Sequence, residues 1–282
     1  MRKRIVQTGQ IINKLLYDME NKQHIPTVGE MAANNETPEV LFWVGCAGSF
    51  DERAQRITRD ICKILQHVGI RFAILGTEEG CTGDPAKRAG NEFLFQMQAL
   101  MNIQVLDGYS IKKIVTACPH CFNTLKNEYA SLGGNYEVIH HSELIQSLIN
   151  SGKLKPLDGN EFKGKKITYH DPCYLGRGNE VYQAPREVLE SLDTDLVELK
   201  RCKNNGLCCG AGGAQMFKEP EPGIKDINME RVEDILESKA SVVAAACPFC
   251  MTMLRDGLKA KELESSIQVL DIAEIIAKAN GL

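Results

Sequence analysis

The feature that most constrains this chain is a cysteine pattern that occurs twice. Cys46 and Cys173 lie 127 residues apart, and so do Cys81 and Cys208. Cys118 and Cys247 lie 129 apart, as do Cys121 and Cys250. The surroundings repeat too. Ile114-Val115-Thr116-Ala117-Cys118-Pro119-His120-Cys121 matches the run from Val242 to Cys250, and each is followed by an amphipathic stretch. Val138-Ile139 before Glu143-Leu144-Ile145 is echoed by Val269-Leu270 before Glu274-Ile275-Ile276. One unit, duplicated, accounts for all of this.

A segment rich in Ser, Gly, Pro, Asp and Asn, from about Asn150 to Lys163, reads as the linker between the copies. The expected division is an N-terminal helical extension over 1–37, a first cysteine-rich domain over 38–150 and a second over 151–282. In the extension, Ile5, Ile12, Leu15, Leu16 and Met19 suit one face of a helix that covers the core or docks a partner.

Short apolar runs alternate with helical patterns. Strands are expected at Val40–Val44, Phe72–Leu75, Lys113–Thr116, Lys166–Tyr169, Asp195–Leu199 and Val242–Ala245. Helices are expected at Arg53–Val68, Asn91–Leu100 and Pro185–Leu192. This order predicts an α/β fold of two pseudo-symmetric halves, each a mostly parallel sheet flanked by helices. In such sheets the loops beyond the carboxyl ends of the strands converge on one crevice. Cysteines far apart in sequence then meet.

What meets is thiol chemistry. The chain has 282 residues and 11 cysteines, and the start Met1-Arg2-Lys3-Arg4 is followed by no apolar signal-peptide core. In an unexported protein of this size, such cysteines point to metal or redox work rather than disulfides. The second half offers Cys173, Cys208, Cys209, Cys247 and Cys250. Five thiols exceed the four of a tetrahedral zinc site, and adjacent cysteines reach two irons more easily than one small ion. Gly210, Gly212 and Gly213 let backbone approach an inorganic cluster and aim N–H groups at its sulfurs. The first half offers Cys46, Cys81, Cys118 and Cys121, with Thr82 where the second half has Cys209. Four thiolates suit an ordinary [4Fe–4S] cluster or zinc. Two rival classes stay open: a zinc-stabilised interaction module, and a thioredoxin-like dithiol oxidoreductase using Cys118 and Cys121. Pro119 and Pro248 are expected at the first turn of the following helices.

Cys46, Cys81-Thr82-Gly83 and Cys118-Pro119-His120-Cys121, repeated as Cys173, Cys208-Cys209-Gly210 and Cys247-Pro248-Phe249-Cys250, resemble the paired cysteine-rich CCG domains of heterodisulfide reductase. They resemble equally the iron–sulfur subunits of glycolate, lactate and anaerobic glycerol-3-phosphate oxidising complexes. The flanks 83–92 and 170–177 take part in the likeness, which spans roughly residues 38 to 280. It implies iron–sulfur clusters: a non-cubane cluster on the five-cysteine set, and at the first set, which departs at Thr82, a cubane [4Fe–4S] cluster or zinc. It also implies an electron-transfer subunit, inactive without partners, between a flavoprotein or ferredoxin-like subunit and a quinone or disulfide-type acceptor. The expected location is the cytoplasm, at the inner face of the membrane where a partner is membrane-anchored. This chain shows neither the ferredoxin run C-x2-C-x2-C-x3-C-P nor a nucleotide fingerprint.

The remaining composition excludes more than it assigns. Hydrophobic residues make up 43% of the chain, enough for a packed core, and the net charge of −4 is spread without a basic block, so nucleic acid is not an expected partner. No run of about 18 apolar residues occurs, so no span is expected. Cys62 is expected as a small buried hydrophobe on its helix, and Cys202 as a bystander near Cys208. His140 and His141 end a strand in an ordinary polar role. Asp84, Lys87, Arg88, Asn91 and Glu92 read as a capped helix with internal ion pairs. His120 is placed to tune a cluster, His170 and Asp171 to shuttle protons; Asp171 before Pro172 equally suits a plain turn.

Overall fold

In a computed structural model the chain is described for residues 24–219 and 222–282. The helix face of Ile5 to Met19 lies outside the described residues. The described part divides into two compact units, with the break between His141 and Ser142.

The first unit begins with α1 (Val28–Ala33), closed by a capping box in which Thr27 and Glu30 exchange hydrogen bonds. Then come β1 (Val40–Trp43), α2 (Gly45–Phe50), α3 (Glu52–His67), β2 (Phe72–Ala73), α4 (Asp84–Arg88), α5 (Glu92–Gly108), β3 (Lys113–Thr116), α6 (Pro119–Asn123) and β4 (Glu137–His140). The four strands form one sheet in the order β2-β1-β3-β4, and every pairing is parallel. The second unit runs α7 (starting at His141 and ending at Asn150), β5 (Lys166–Tyr169), α8 (Gln183–Glu190), β6 (Asp195–Val197), α9 (Ile227–Ser238), β7 (Val242–Ala245), α10 (Pro248–Ala260), β8 (Gln268–Asp271) and α11 (Ile272–Ala279). Its sheet has the same order, β6-β5-β7-β8, again parallel throughout. The two topologies are therefore copies, as the cysteine register requires.

The central strands of each sheet, β1 and β3, β5 and β7, are almost wholly buried. Val40 to Trp43 and Val242 to Ala245 are buried at every position. That is the pattern of strands covered by helices on either side, where a run of apolar residues replaces alternation. Among the described residues no helix is long and apolar enough to cross a membrane.

The fourth strand of the first sheet is the one expected to end at His140; its counterpart in the second sheet was not expected from the sequence. Glu137–His140 and Gln268–Asp271 each begin with an exposed polar residue, and each is followed at once by a helix. The echo between Val138-Ile139 and Val269-Leu270 was the available signal. A second difference follows the Cys-x-x-Cys motifs. In the second unit α10 continues regularly for 13 residues. In the first, α6 stops after 5 residues and passes into a π-turn over Thr124–Glu128 and a tight turn over Tyr129–Leu132.

Where α10 crosses α9, Gly257 sets the approach. A Cβ there would lie 2.8 Å from Val232 Cγ2 and 3.2 Å from the Asn228 carbonyl oxygen. Backbone cannot yield as a side chain can. Gly257→Ala, which would favour an isolated helix, is expected here to lower stability by about 1–3 kcal/mol, measured by urea denaturation against the parent protein.

Candidate functional site

In both units the strand order reverses direction between the first and third strands, β1 and β3 or β5 and β7. That switch point is where ligands bind in open parallel sheets. The cysteines sit beside it. Cys46 follows β1 and Cys118 follows β3; Cys173 follows β5 and Cys247 follows β7. Cys118 and Cys247 are the residues immediately preceding α6 and α10, each followed by a proline in the helix's first turn, where its missing N–H costs nothing. Cys121 and Cys250 then come one helical turn inside.

The remaining thiols arrive on the loop after the second strand. Cys81-Thr82-Gly83 and Cys208-Cys209-Gly210 make the same turn. Gly83 has φ +90° and Gly210 φ +94°, the left-handed region that glycine enters without strain. Each glycine N–H donates to the cysteine two residues back, Cys81 Sγ at 3.5 Å and Cys208 Sγ at 3.3 Å. A side chain at either glycine would meet Phe95 at 2.8 Å or Ile227 at 3.3 Å.

Nine of the eleven cysteines, the candidate ligands, are brought together in two groups. In the first unit Cys46 shares a hydrogen bond with Cys81, and Cys118 with Cys121, while charge on any of them is felt by the others. In the second, a chain of contacts runs from Cys173 to Cys208, Cys209, Cys250 and Cys247. Cys209 Sγ and Cys250 Sγ are 3.3 Å apart, far beyond a disulfide bond, and every cysteine is a free thiol. Thr82 occupies the place of Cys209: its hydroxyl lies 3.9 Å from Cys121 Sγ.

This crowding has an electrostatic consequence. Cys208 is driven far below the ordinary thiol range by hydrogen bonds from the Cys173 and Cys209 thiols, then by the Gly210 and Gly212 N–H groups. Cys173 and Cys250 are pushed up because they donate to neighbouring sulfur, Cys173 to Cys208 and Cys250 to Cys209 and Cys247, then by burial. In the first group Cys118 is lowered to about 7, chiefly by the Cys121 thiol. Cys81 is lowered as well, chiefly by the Cys46 thiol, so the first group has two thiols inclined to ionise and the second one, while the rest ionise only against like charge. A cationic core would remove that opposition.

A carboxylate braces each group, from opposite directions. In the first unit Glu79, buried on the second-strand loop, accepts from the Val44 N–H at 3.0 Å and the Gly45 N–H at 2.6 Å, which fixes the backbone entering Cys46. Burial raises its carboxyl to about 8. In the second unit Asp171, on the first-strand loop, accepts from the Lys203 N–H at 2.7 Å, which fixes the backbone leading to Cys208. Arg186 grips Asp171 with two bonds of 2.9 and 3.0 Å. Arg177 donates to the Gly206 carbonyl on the same loop. Asp171 thus braces the two loops, a contact that its position before Pro172 does not announce. Glu79 went unnoticed in the sequence, because nothing in its local pattern marks a buried carboxylate.

Other sequence candidates fall as follows. Cys62 is fully buried in α3 among apolar neighbours, and burial raises its thiol. Cys202 is partly exposed and hydrogen-bonds toward Glu198, outside the five-sulfur group. His120 is buried with Nδ1 2.8 Å from Asp84, which also pairs with Arg88 at 3.0 Å. Lys87 and Arg88 both reach Glu128, and Asn91 caps α5 through the Leu94 N–H. The segment 84–92 is thus not one capped helix: it divides into α4 and the start of α5, Asn91 caps α5, and of the ion pairs only Asp84–Arg88 is internal to its helix, the others reaching Glu128. A ring nitrogen of His170 lies within 4.8 Å of Cys209 Sγ and Cys250 Sγ.

Both units match the family model of the cysteine-rich domain named CCG, over residues 40–126 and 167–255, and the chain belongs to this family. A "Probable iron-sulfur-binding oxidoreductase FadF" of Bacillus subtilis is 46% identical over 90% of this chain and 36% of its own length. An "EtfAB:quinone oxidoreductase" of Syntrophomonas wolfei is 44% identical over 86% of this chain and 34% of its own. One polypeptide of the dihydromethanophenazine:CoB--CoM heterodisulfide reductase of Methanosarcina barkeri is 34% identical over 97% of this chain and 66% of its own. The chain therefore spans only part of each relative.

The Arg186–Asp171 pair is 3% exposed on both sides, whereas Glu198, the second partner of Arg186, is 37% exposed. Arg186→Met strands a buried carboxylate and is expected to cost about 3–5 kcal/mol. Glu198→Gln is expected to cost within about 1 kcal/mol. Denaturation curves of the two variants, collected anaerobically, check the contrast.

Proposed function

We propose that this chain is the iron–sulfur electron-transfer part of an oxidoreductase complex. The observation that carries this reading is the convergence of five thiols in the second unit, with Cys209 and Cys250 sulfur against sulfur. Tetrahedral zinc uses four ligands and leaves the fifth thiol without purpose. Cys173, Cys208, Cys209, Cys247 and Cys250 would hold a cluster larger than a single ion, of the non-cubane type. Cys46, Cys81, Cys118 and Cys121 would hold a cubane [4Fe–4S] cluster, with the Thr82 hydroxyl filling the fifth position. Such clusters supply one-electron transfer at a potential set by hydrogen bonds to sulfur, net charge and exposure.

The chain's own residues do the rest. Gly83 and Gly210 bring N–H groups to thiolate sulfur, stabilising the ionised form. Cys118, Cys121, Cys209, Cys247 and Cys250 are buried, which keeps water from the inner side of each group. Burial also weighs against the dithiol reading: a reactive Cys-x-x-Cys needs a partly exposed sulfur, and Cys118 is 3% exposed.

The relatives of higher identity carry the names of an iron–sulfur-binding oxidoreductase and an EtfAB:quinone oxidoreductase. This favours a relay from a flavoprotein toward quinone over direct reduction of a disulfide. The partners are a flavoprotein and a ferredoxin-like iron–sulfur part, one of them membrane-anchored. The chain would then work on the cytoplasmic side, held at the membrane by that partner.

Anaerobic purification followed by iron, zinc and acid-labile sulfide analysis tests the reading. Cys209→Ala is expected to lower iron and sulfide and change the second unit's paramagnetic resonance signal, leaving the first unit's signal in place. Thr82→Cys is expected to supply a fifth thiol to the first unit and shift its signal toward the second's. A colourless zinc protein would refute the assignment.

A further inference from the structure

His170 ends the stretch leading from β5 into the Cys173 loop, with its backbone N–H on the Ala244 carbonyl at 2.9 Å. Its side chain is fully buried. Arg231 Nε donates to His170 Nδ1 at 2.9 Å. A guanidinium has donors and no acceptor, so Nδ1 must carry a lone pair. The arginine cannot swing away easily. Its Nη1 donates to the Arg201 carbonyl at 2.7 Å and to Asp234 Oδ2 at 3.0 Å. The ring is therefore held neutral, with its proton on Nε2.

That Nε2–H has no hydrogen-bond partner among the described residues. A buried donor left unmatched is costly and rare in a folded protein. A ring nitrogen of His170 and the sulfurs of Cys209 and Cys250 lie within 4.8 Å of one another. The duplication gives an independent parallel. Trp43 stands at the same repeat position, three residues before the first cysteine. It too is fully buried, with an indole N–H that finds no partner among the described residues. Indole nitrogen only donates. Two unlike side chains at one position share a single property, a buried N–H with no protein acceptor.

We infer that His170 Nε2–H is a fixed hydrogen-bond donor to sulfur of the second unit's cluster, locked in one tautomer by Arg231. The inference rests on the iron–sulfur reading above. A donor to sulfur stabilises the reduced, more negative cluster and raises its potential. It also replaces the proton-shuttle role suggested by the position of His170, since releasing the Nε2 proton requires Nδ1 to take one up against Arg231. His170 is a positioning and tuning residue; it transfers nothing.

The test uses the full chain purified anaerobically, labelled with 15N-histidine, in the Cys81→Ala background so that the second unit's signal is read alone. Pulsed electron paramagnetic resonance in H2O and D2O should show a weak 15N coupling and an exchangeable proton. His170→Leu should lose both and shift the midpoint potential to more negative values. His170→Gln, whose amide N–H reaches a similar place, should restore the exchangeable proton and most of the potential. An unchanged potential in His170→Leu overturns the inference, as does a strong 15N coupling showing the imidazole bound directly to iron. If His170→Leu assembles no cluster, absence of the weak 15N coupling in the labelled background protein overturns it equally. An iron-free protein brings down the iron–sulfur reading itself, whereas an iron-loaded one without the coupling brings down this assignment alone.

Discussion

Nine sulfurs held close together, five in one group and four in the other, are the constraint on which the rest of this structure depends. Thiols are weak hydrogen-bond partners, and thiolates repel, so such groups do not assemble for their own stability. The fold pays for them with rigid backbone. Two parallel sheets deliver the first and third loops to one edge at the point where the strand order turns back. Prolines start the helices that carry the Cys-x-x-Cys pairs. Glycines in the left-handed region turn the loop after the second strand so that an N–H meets sulfur. Buried carboxylates then pin one loop to the next in each unit.

Duplication explains the common backbone; divergence explains why the two groups differ. Cys209 gives way to Thr82, which removes one thiol and leaves a hydroxyl near Cys121. The brace passes from a second-strand carboxylate, Glu79, to a first-strand carboxylate, Asp171, with Arg186 added. The regular α10 has a broken counterpart around Thr124–Glu128, where Asp84, Arg88, His120 and Glu128 form a polar cluster instead. One fold therefore supports two chemically distinct sites.

Much of this was legible in the sequence, for identifiable reasons. Strands buried on both faces, such as Lys113–Thr116, Lys166–Tyr169 and Val242–Ala245, announce themselves as apolar runs, and their ends agree with the structure. The cysteine register disclosed the duplication and hence the shared topology. The edge strand β8 was hidden because it is short and begins with an exposed polar residue. Helix α5 runs on to Gly108, past the expected end at Leu100, because its later turns lack a stop signal until the glycine. Glu79, the Arg186 clamp and the Arg231–His170–sulfur line were illegible, since each joins residues distant in sequence by side-chain geometry alone.

The most direct measurement of the central claim is X-ray absorption at the iron and zinc edges on the anaerobically purified chain. The account predicts an iron edge with both an iron–sulfur shell and an iron–iron shell, at an iron content above four per chain, because two clusters are present. A zinc edge with a sulfur shell and no metal–metal scattering would contradict it.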